Sequence, residues 1–210
     1  MLLSKMNGGS RMQYLKQEVK QRIVLSALAE FKEKGYTAAS IRNIASNANI
    51  ALGTVYKYFK NKEDLFNTII EPVYQDFSYE INKIMIAELN SFDTLIDIKD
   101  KLLEIFERNT LELLILFGKS KGSKYEHFKN ELVETLQKVL EKEVFYRFED
   151  KEIIQDLFII QVFAITLVEG VYTILKTQED GVRIRALIDQ FIYLLFIDID
   201  KRFKEMIHIL

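Results

Sequence analysis

The sequence contains no cysteine and a single proline, Pro72, against eight glycines in 210 residues. Without cysteine, the chain cannot form disulfides, thiolate metal sites or thiol nucleophiles. The scarcity of proline and glycine, together with 49% hydrophobic residues, favours long helices over a turn-rich sheet and argues against disorder. Residues 1–13 also lack the apolar segment of a secretory leader. We therefore expect an all-α protein located in the cytoplasm.

The sequence has few of the residue patterns that enzymes use. Its two histidines, His127 and His208, lie far apart, and neither the H-E-x-x-H nor the G-x-S-x-G pattern occurs. Residues 118–124 combine glycine with lysine but lack the spacing of a phosphate-binding loop, and no strand precedes them. We expect no catalytic activity, no metal and no cofactor.

The charge is unevenly distributed, although the net charge is only −2. Residues 1–62 carry 11 basic and 3 acidic side chains, whereas residues 63–210 carry 18 basic and 28 acidic ones. This split indicates an N-terminal part that binds a polyanion and a remainder that keeps the protein soluble. The alternative is an ordinary solvated basic face.

The first amphipathic helix is predicted over residues 17–34. Apolar side chains recur there at i, i+3, i+4 and i+7, starting at Val24, while polar residues such as Glu30 lie outside this set. Gly35 is suited to end the helix. Residues 1–13 show no helical period, and we expect residues 1–16 to form a flexible leader.

Two short helices with a tight turn are predicted next. Ser40 stands at the N-cap of the first, residues 41–47, where its hydroxyl can accept a hydrogen bond from a free backbone N–H. Asn49 lies in the turn and tolerates a left-handed backbone. The second helix covers residues 52–59, and Asn61 caps a fourth. This arrangement is typical of a helix-turn-helix, whose second helix enters the major groove of DNA.

Groups that suit a DNA groove are concentrated on and beside the second short helix. Lysine and tyrosine donate hydrogen bonds to phosphate oxygens, and exposed N-terminal amides of a helix add to them. The residues are Thr54, Tyr56, Lys57, Tyr58, Lys60 and Lys62. The sequence therefore predicts double-stranded DNA as a partner.

Three strings in this region share the spacing of a known family: Gly35-Tyr36, the run from Ser40 to Ala45, and the run from Gly53 to Leu65. Through them, residues 22–66 resemble the tetracycline-repressor-like (TetR) regulators. The remaining two thirds of the chain match that family only in the length and order of the helices. The resemblance implies a repressor that a small hydrophobic or amphipathic effector releases from a palindromic operator.

The resemblance also implies a division of the all-α fold into two parts. A helix-turn-helix domain of three helices occupies residues 17–70, and a helical bundle for ligand binding and dimerisation occupies residues 71–210. Lys62 is expected to grip phosphate, and Ser40 and Arg42 to contact the opposite edge of the site. The implied DNA contacts are Ser40, Arg42, Leu52, Gly53, Thr54, Tyr56, Lys57, Tyr58 and Lys62.

Three positions depart from the usual family pattern. Asn49 stands where glycine is frequent, and Ala51 stands where serine or threonine normally caps the recognition helix. Loss of such a cap costs about 1 kcal/mol. Leu52 occupies a position that is often polar, and it either reads a thymine methyl or packs into the core.

Longer helices are predicted for the rest of the chain, over residues 73–90, 93–117, 124–148, 151–177 and 182–207. Their short polar connections favour antiparallel packing. Residues 157–175 are apolar enough to suggest a membrane span, but the charge of Glu169 would cost several kcal/mol there. We expect instead that residues 157–175 and 187–199 pack against a second subunit, so that the protein is a homodimer without a membrane partner. The resemblance implies the same, with a four-helix bundle at the interface.

Glu169 is the one acid deep in this apolar stretch. It either reads a ligand in a pocket lined by Phe117, Phe163 and Tyr172, or it is a glutamate at the interface or facing water. Because few polar groups are available, any effector is expected to be hydrophobic or amphipathic.

A different class of function also fits the sequence: a helical protein-interaction or membrane-associated module that uses its basic N-terminus on acidic lipid or protein. Specific binding to a palindromic duplex favours the regulator, whereas vesicle binding without duplex preference favours the module.

Overall fold

The computed structural model describes residues 8–86, 92–147, 158–198, 201, 202 and 205. Within these ranges every regular element is an α-helix, which agrees with the expected all-α fold. The helices are α1 Gly8–Ala38, α2 Ile41–Asn47, α3 Leu52–Tyr58, α4 Lys62–Ile86, α5 Phe92–Arg108, α6 Thr110–Gly118, α7 Phe128–Arg147, α8 Phe158–Thr177 and α9 Gly181–Phe196.

α1 begins at Gly8, so the expectation that residues 1–16 lie outside helical structure is wrong for residues 8–16. The physical reason is that a helix, once nucleated by packed residues, gains one hydrogen bond for each residue it adds. At the other end Gly35 adopts φ 72° and ψ 167°, which ends the regular helix as expected, and a further turn runs to Ala38.

The N-terminal core lies between α1, α2, α3 and the start of α4. Phe31, Ile44, Val55 and Phe66 are buried in it, and the rings of Phe31 and Phe66 meet edge to face with centroids 4.9 Å apart. In the turn between α2 and α3, Asn49 has φ 53°, as its sequence position predicted. This packing fixes the angle between the two short helices.

α4 continues through Pro72 without interruption. The expected domain boundary between residues 70 and 71 therefore falls inside one helix that belongs to both parts. An internal proline removes one helical hydrogen bond and costs about 3 kcal/mol. Buried side chains on both sides of it, such as Ile70 and Val73, offset this cost.

The expected helix over residues 93–117 is two helices, α5 and α6, separated at Asn109. The Asn109 side chain donates a hydrogen bond to the carbonyl of Ile105, over 3.2 Å. Such bonds compete with the helical ladder and favour a break. α6 is buried through Leu113, Leu114, Ile115, Leu116 and Phe117. It lies in the centre of the molecule and packs against α1, α4 and α8.

α9 ends at Phe196, well before residue 207 where the sequence predicted its end. The first part of the predicted helix over residues 151–177 lies outside the described residues. α8 and α9 pack against each other and against the core through Val168, Leu175, Ile184 and Ile188. The sides of α8 and α9 that face away from the core are exposed.

Candidate nucleic-acid interface

α3 presents one buried face and one open face. Val55 is 1% exposed and packs into the N-terminal core. On the opposite side of the helix, Gly53, Tyr56 and Lys57 are exposed, with Tyr56 at 50%. Residues three and four apart share a helix face, so these three predicted DNA contacts form one outward surface, called here the α3 face.

Gly53 leaves open space at the α3 face. A Cβ atom built on it would meet nothing within 4 Å, and its φ is not in the left-handed region. The fold therefore does not require glycine, which costs roughly 0.5–1 kcal/mol relative to alanine inside a helix. A glycine in this position suits the close approach of another molecule to the backbone.

The other predicted contacts differ in exposure. Arg42 is exposed on α2, whereas Ser40, Thr54 and Tyr58 are half-buried. Leu52 is half-buried and packs against the N-terminal core, which favours the second of its two predicted roles.

Glu30, which the sequence places outside the apolar set of α1, is a buried acid that is 4% exposed. Its Oε1 accepts hydrogen bonds from the backbone N–H of Ser40, over 3.0 Å, and from the Asn43 side chain, over 3.1 Å. The Ser40 hydroxyl makes no capping bond, so Glu30 holds the start of α2 in place of the expected cap. A sequence signal existed, because Glu30 lies three residues after the buried Ala27 and so on the same face.

Lys62 does not project as a free phosphate ligand, contrary to the expectation. Its ammonium donates hydrogen bonds to the carbonyls of Tyr36, Thr37 and Ala39, over 2.7, 2.9 and 3.2 Å. It also lies 4.7 Å from the centroid of the Tyr36 ring. The kink at Gly35 leaves these carbonyls outside the regular helix, and Lys62 satisfies them with all three of its donors.

The end of α1 is joined to the loop after α6. The backbone N–H of Tyr36 donates to the Lys119 carbonyl over 2.8 Å, and the Thr37 hydroxyl donates to the Lys121 carbonyl over 2.6 Å. Gly122 has φ 85°, and a Cβ there would come within 2.6 Å of the Thr37 hydroxyl. The loop after α6 is therefore hydrogen-bonded to the end of α1.

Glu71, beside Pro72 on α4, makes a second connection to that loop. Its carboxylate accepts hydrogen bonds from Lys124, from the Tyr125 hydroxyl over 2.5 Å and from Gln75 over 2.6 Å. These bonds, with that from Lys124 foremost, lower the pKa of Glu71 from 4.5 to about 2. Burial, followed by the carboxylate, raises the pKa of Tyr125. The sequence did not predict these contacts of Glu71, because Lys124 and Tyr125 lie 53 and 54 residues away from it along the chain.

The four predicted effector residues do not converge on one cavity. Phe117 packs in the core against Phe77, Phe106 and Phe128, and Phe163 lies edge to face with Phe196, centroids 5.4 Å apart. Tyr172 lies beneath the ammonium of Lys129. Glu169 is exposed and pairs with Lys129 over 2.7 Å, which fits a glutamate facing water. These aromatic side chains fill core positions or pair with a neighbouring helix, and a pocket lined by all four residues stays a prediction.

Cavities among the described residues lie along α4 instead. One of about 150 Å³ opens between α4 and α7 and has an aromatic and aliphatic wall with amide, hydroxyl and carboxylate groups. A second, of about 370 Å³, lies between α4 and α5 and is lined mainly by charged residues. The residues of the first, called here the α4–α7 cavity, are Tyr74, Phe77, Ser78, Ile81, Asn82, Phe128, Glu131, Leu132 and Thr135.

An apolar surface, called here the α8–α9 face, remains exposed on the outer sides of these helices. Among the described residues, α8 alone is long and apolar enough to cross a membrane by length and composition, and 28% of its most apolar window is buried. The exposed apolar residues are Phe158, Ile159, Val162, Ile165, Val182, Tyr193, Leu194 and Ile197.

The part of the chain that carries α2, α3 and the start of α4 has relatives among bacterial proteins. Residues 23–69 match the family described as "Bacterial regulatory proteins, tetR family". The uncharacterized HTH-type transcriptional regulator YhgD of Bacillus subtilis is 33% identical over 66 residues, which cover 31% of this chain and 35% of the relative. The matched segment thus spans about a third of that relative's length.

Similarity over the whole fold comes from solved structures. The gamma-butyrolactone receptor, described as an ArpA-like protein, superposes with a TM-score of 0.58 at 18% identity, covering 92% of this chain and 96% of the receptor. The regulator FadR of Bacillus subtilis, solved with stearoyl-CoA, gives a TM-score of 0.51 at 20% identity, covering 85% and 95%. At such identities the similarity shows a shared fold of helix-turn-helix domain and helical body.

Proposed function

Since residues 23–69 match the tetR family of bacterial regulatory proteins, we propose that the chain is a ligand-responsive transcriptional regulator of that family. It is a repressor that binds a palindromic operator as a homodimer in the cytoplasm. Binding of a small effector releases it from the operator. The α3 face carries this proposal, because Gly53, Tyr56 and Lys57 point outward from a helix fixed by the buried Val55.

Chemistry at the α3 face suits duplex DNA. Lys57 supplies a cation and Tyr56 a hydroxyl for phosphate oxygens or base edges, while Gly53 allows the backbone to come close. Two of the three acids of residues 1–62 do not oppose this binding at the α3 face: Glu30 is buried, and Glu33 pairs with Lys34 on α1.

The α8–α9 face supports the homodimer. Its residues include Leu194 at 67% exposure, and contiguous apolar patches on soluble proteins mark interaction sites. Two copies joined by these helices would form a four-helix bundle. A dimer places two α3 faces at a fixed spacing, which a palindromic operator requires.

The α4–α7 cavity is the proposed effector site. Its wall combines aromatic rings such as Phe77 and Phe128 with polar groups such as Asn82 and Thr135, which suits a small amphipathic molecule. FadR, a structural neighbour, was solved with the amphipathic ligand stearoyl-CoA. α4 lines this cavity and begins at Lys62, beside α3, so it connects the cavity to the DNA-binding part.

DNA selection from a random duplex library with the purified full chain tests the proposal. We expect a palindromic consensus that the Lys57→Ala variant binds more weakly, because a cation at the interface is lost. Lys138→Ala, which removes an exposed lysine on α7, is the matched control and should leave binding unchanged. Recovery of no consensus by the wild-type chain would contradict operator binding.

The exposure of α8 favours one alternative, association with a membrane. If that is correct, the chain binds vesicles containing anionic lipid and shows no preference between duplex sequences. Sedimentation with such vesicles, run beside the duplex titration, separates the two functions.

A further inference from the structure

α1 extends well beyond the part of it that is packed into the N-terminal core. Its first fully buried residue among those with described side chains is Ile23, whereas the helix begins at Gly8. The difference is about four helical turns. Where this extension leaves the core, the Lys20 ammonium lies 5.9 Å from the centroid of the Phe59 ring, directly after α3. The projecting helix therefore starts beside the C-terminal end of α3.

One side of the extension is polar and basic. Four exposed residues follow one another at i, i+3, i+4 and i+7 and so share a helix face. Further along α1, Ala27 and Phe31 lie on this same face and are buried in the core. The four residues, called here the α1 stripe, are Gln13, Lys16, Gln17 and Lys20.

The opposite side of the extension has a different composition. Tyr14 and Leu15 are exposed there, together with Glu18, the one acid between residues 8 and 22, and the exposed cation Arg22. The bases of the α1 stripe therefore lie on the side of the helix nearest α3, and the acid lies away from it.

The dimensions of the α1 stripe match a nucleic-acid backbone. From Gln13 to Lys20 the helix rises about 10 Å, which is the span of about three phosphates along one DNA strand. Lysine neutralises phosphate, and glutamine amides donate hydrogen bonds to its oxygens. The stripe is therefore a second basic surface, which begins beside the C-terminal end of α3.

We propose that the α1 stripe is a second DNA contact, which holds the phosphate backbone outside the half-site entered by α3. This inference rests on the proposed operator binding and adds to it a contact with flanking DNA that does not depend on base sequence. Binding should therefore strengthen when the duplex extends past the half-sites.

The test compares two duplexes that carry the selected operator. The short duplex ends at the outer edge of the two half-sites, and the long one has ~8 additional base pairs on each side, enough to pass the stripe. Full-length wild type and the double variant Lys16→Gln, Lys20→Gln are titrated into both duplexes at several salt concentrations. The matched control is Arg22→Gln, an exposed cation on the opposite side of α1.

We expect the double variant to bind the long duplex roughly tenfold more weakly and to lower its salt slope by about 3.6, which is 0.9 for each of two lysines in two protomers. Its binding to the short duplex and its base preference should match those of the wild type. Arg22→Gln should match the wild type on both duplexes and at every salt concentration. Equal losses on both duplexes, or no loss, would overturn the α1 stripe while leaving operator binding intact. Wild type that binds neither duplex would overturn both proposals.

Discussion

In the N-terminal part, two charged residues stabilise the fold, whereas a glycine is placed for DNA contact. The charged side chains of Glu30 and Lys62 both form hydrogen bonds with backbone groups of the chain itself. Gly53 carries no side chain, yet it leaves the space that a close DNA contact needs. Effects on stability and on DNA binding should therefore separate when these residues are changed.

Substituting Gly53 tests that separation. Gly53→Ala should raise the free energy of unfolding by about 0.5–1 kcal/mol, because alanine is the better helix former and its Cβ meets no atom of the chain. Operator binding should weaken, because the same Cβ occupies the space at the α3 face. Urea unfolding and fluorescence-anisotropy titration measure the two effects.

Gly170→Ala is the control for this substitution. A Cβ at Gly170 would come within 2.2 Å of the Phe191 ring, so this variant should lose stability. If Gly53→Ala left operator affinity at the wild-type value, Gly53 would have no role at the interface.

Substituting Lys62 should act through stability. Lys62→Met keeps much of the side-chain stem but removes the three hydrogen bonds to the carbonyls after Gly35. We expect the free energy of unfolding to fall by about 2 kcal/mol, and the salt slope of operator binding to stay unchanged. Lys60→Met, at an exposed position, is the comparison. A lower salt slope with unchanged stability would restore the phosphate role expected from the sequence.

At the scale of elements, local signals in the sequence were sufficient for the short helices. α2 matches its prediction, and α3 ends one residue early, at Tyr58. The Asn61 side chain accepts a hydrogen bond from the backbone N–H of Asp64 over 2.8 Å, the expected cap of α4. The Asn61 cap and the Asn49 turn act within a few residues, so the sequence alone reveals them. The start of α2 is the exception, because Glu30, ten residues before Ser40, holds it in place of the expected cap.

Roles that depend on partners distant in the sequence could not be predicted from local sequence signals. The roles of Lys62 and Glu71 come from groups 23 to 54 residues away in sequence. The aromatic residues proposed for an effector pocket illustrate the same limit, since an aromatic at helical spacing can pack in a core or line a cavity. In the structure, Phe117 packs in the core, whereas Phe77 both packs there and lines the α4–α7 cavity.

The connection from α4 to the loop after α6 should give the protein a characteristic acid sensitivity. The pKa of Glu71 falls from 4.5 to about 2 on folding, so its ionised form stabilises the fold fully above pH 4.5. This contribution is lost progressively as the pH falls from 4.5 through 2. Glu71→Gln should therefore be less stable than wild type at pH 6, and the difference should shrink at pH 3.

Urea unfolding of both chains at the two pH values measures this difference. Glu134→Gln, at an exposed position on α7, is the matched control. A difference for Glu71→Gln that stayed constant between pH 6 and pH 3 would contradict the assigned role of the carboxylate.

At the scale of the whole molecule, the α8–α9 face should decide the oligomeric state. Leu194→Glu places a charge in the proposed dimer interface, where it would lose its hydration. We expect a monomer by analytical ultracentrifugation and a loss of operator affinity at the same time, because one protomer contacts only one half-site. Helical content by circular dichroism should stay unchanged.

Tyr79→Glu makes a comparable change at an exposed aromatic residue of α4, away from the α8–α9 face, and should remain dimeric. A wild-type chain that sediments as a monomer at micromolar concentration would contradict the proposed dimer. A Leu194→Glu variant that stays dimeric would place the interface elsewhere.

The passage of α4 through Pro72 has a mechanical consequence. Proline has no N–H, so the carbonyl of Thr68 lacks its helical partner. The part of α4 that connects the α4–α7 cavity to the end of α3 therefore has a point of low bending stiffness there. Glu71 anchors that point to Lys124 and Tyr125. A displacement of the α6–α7 loop would therefore flex α4 at its most compliant point and tilt α3 relative to the body, while the segments on either side stay straight.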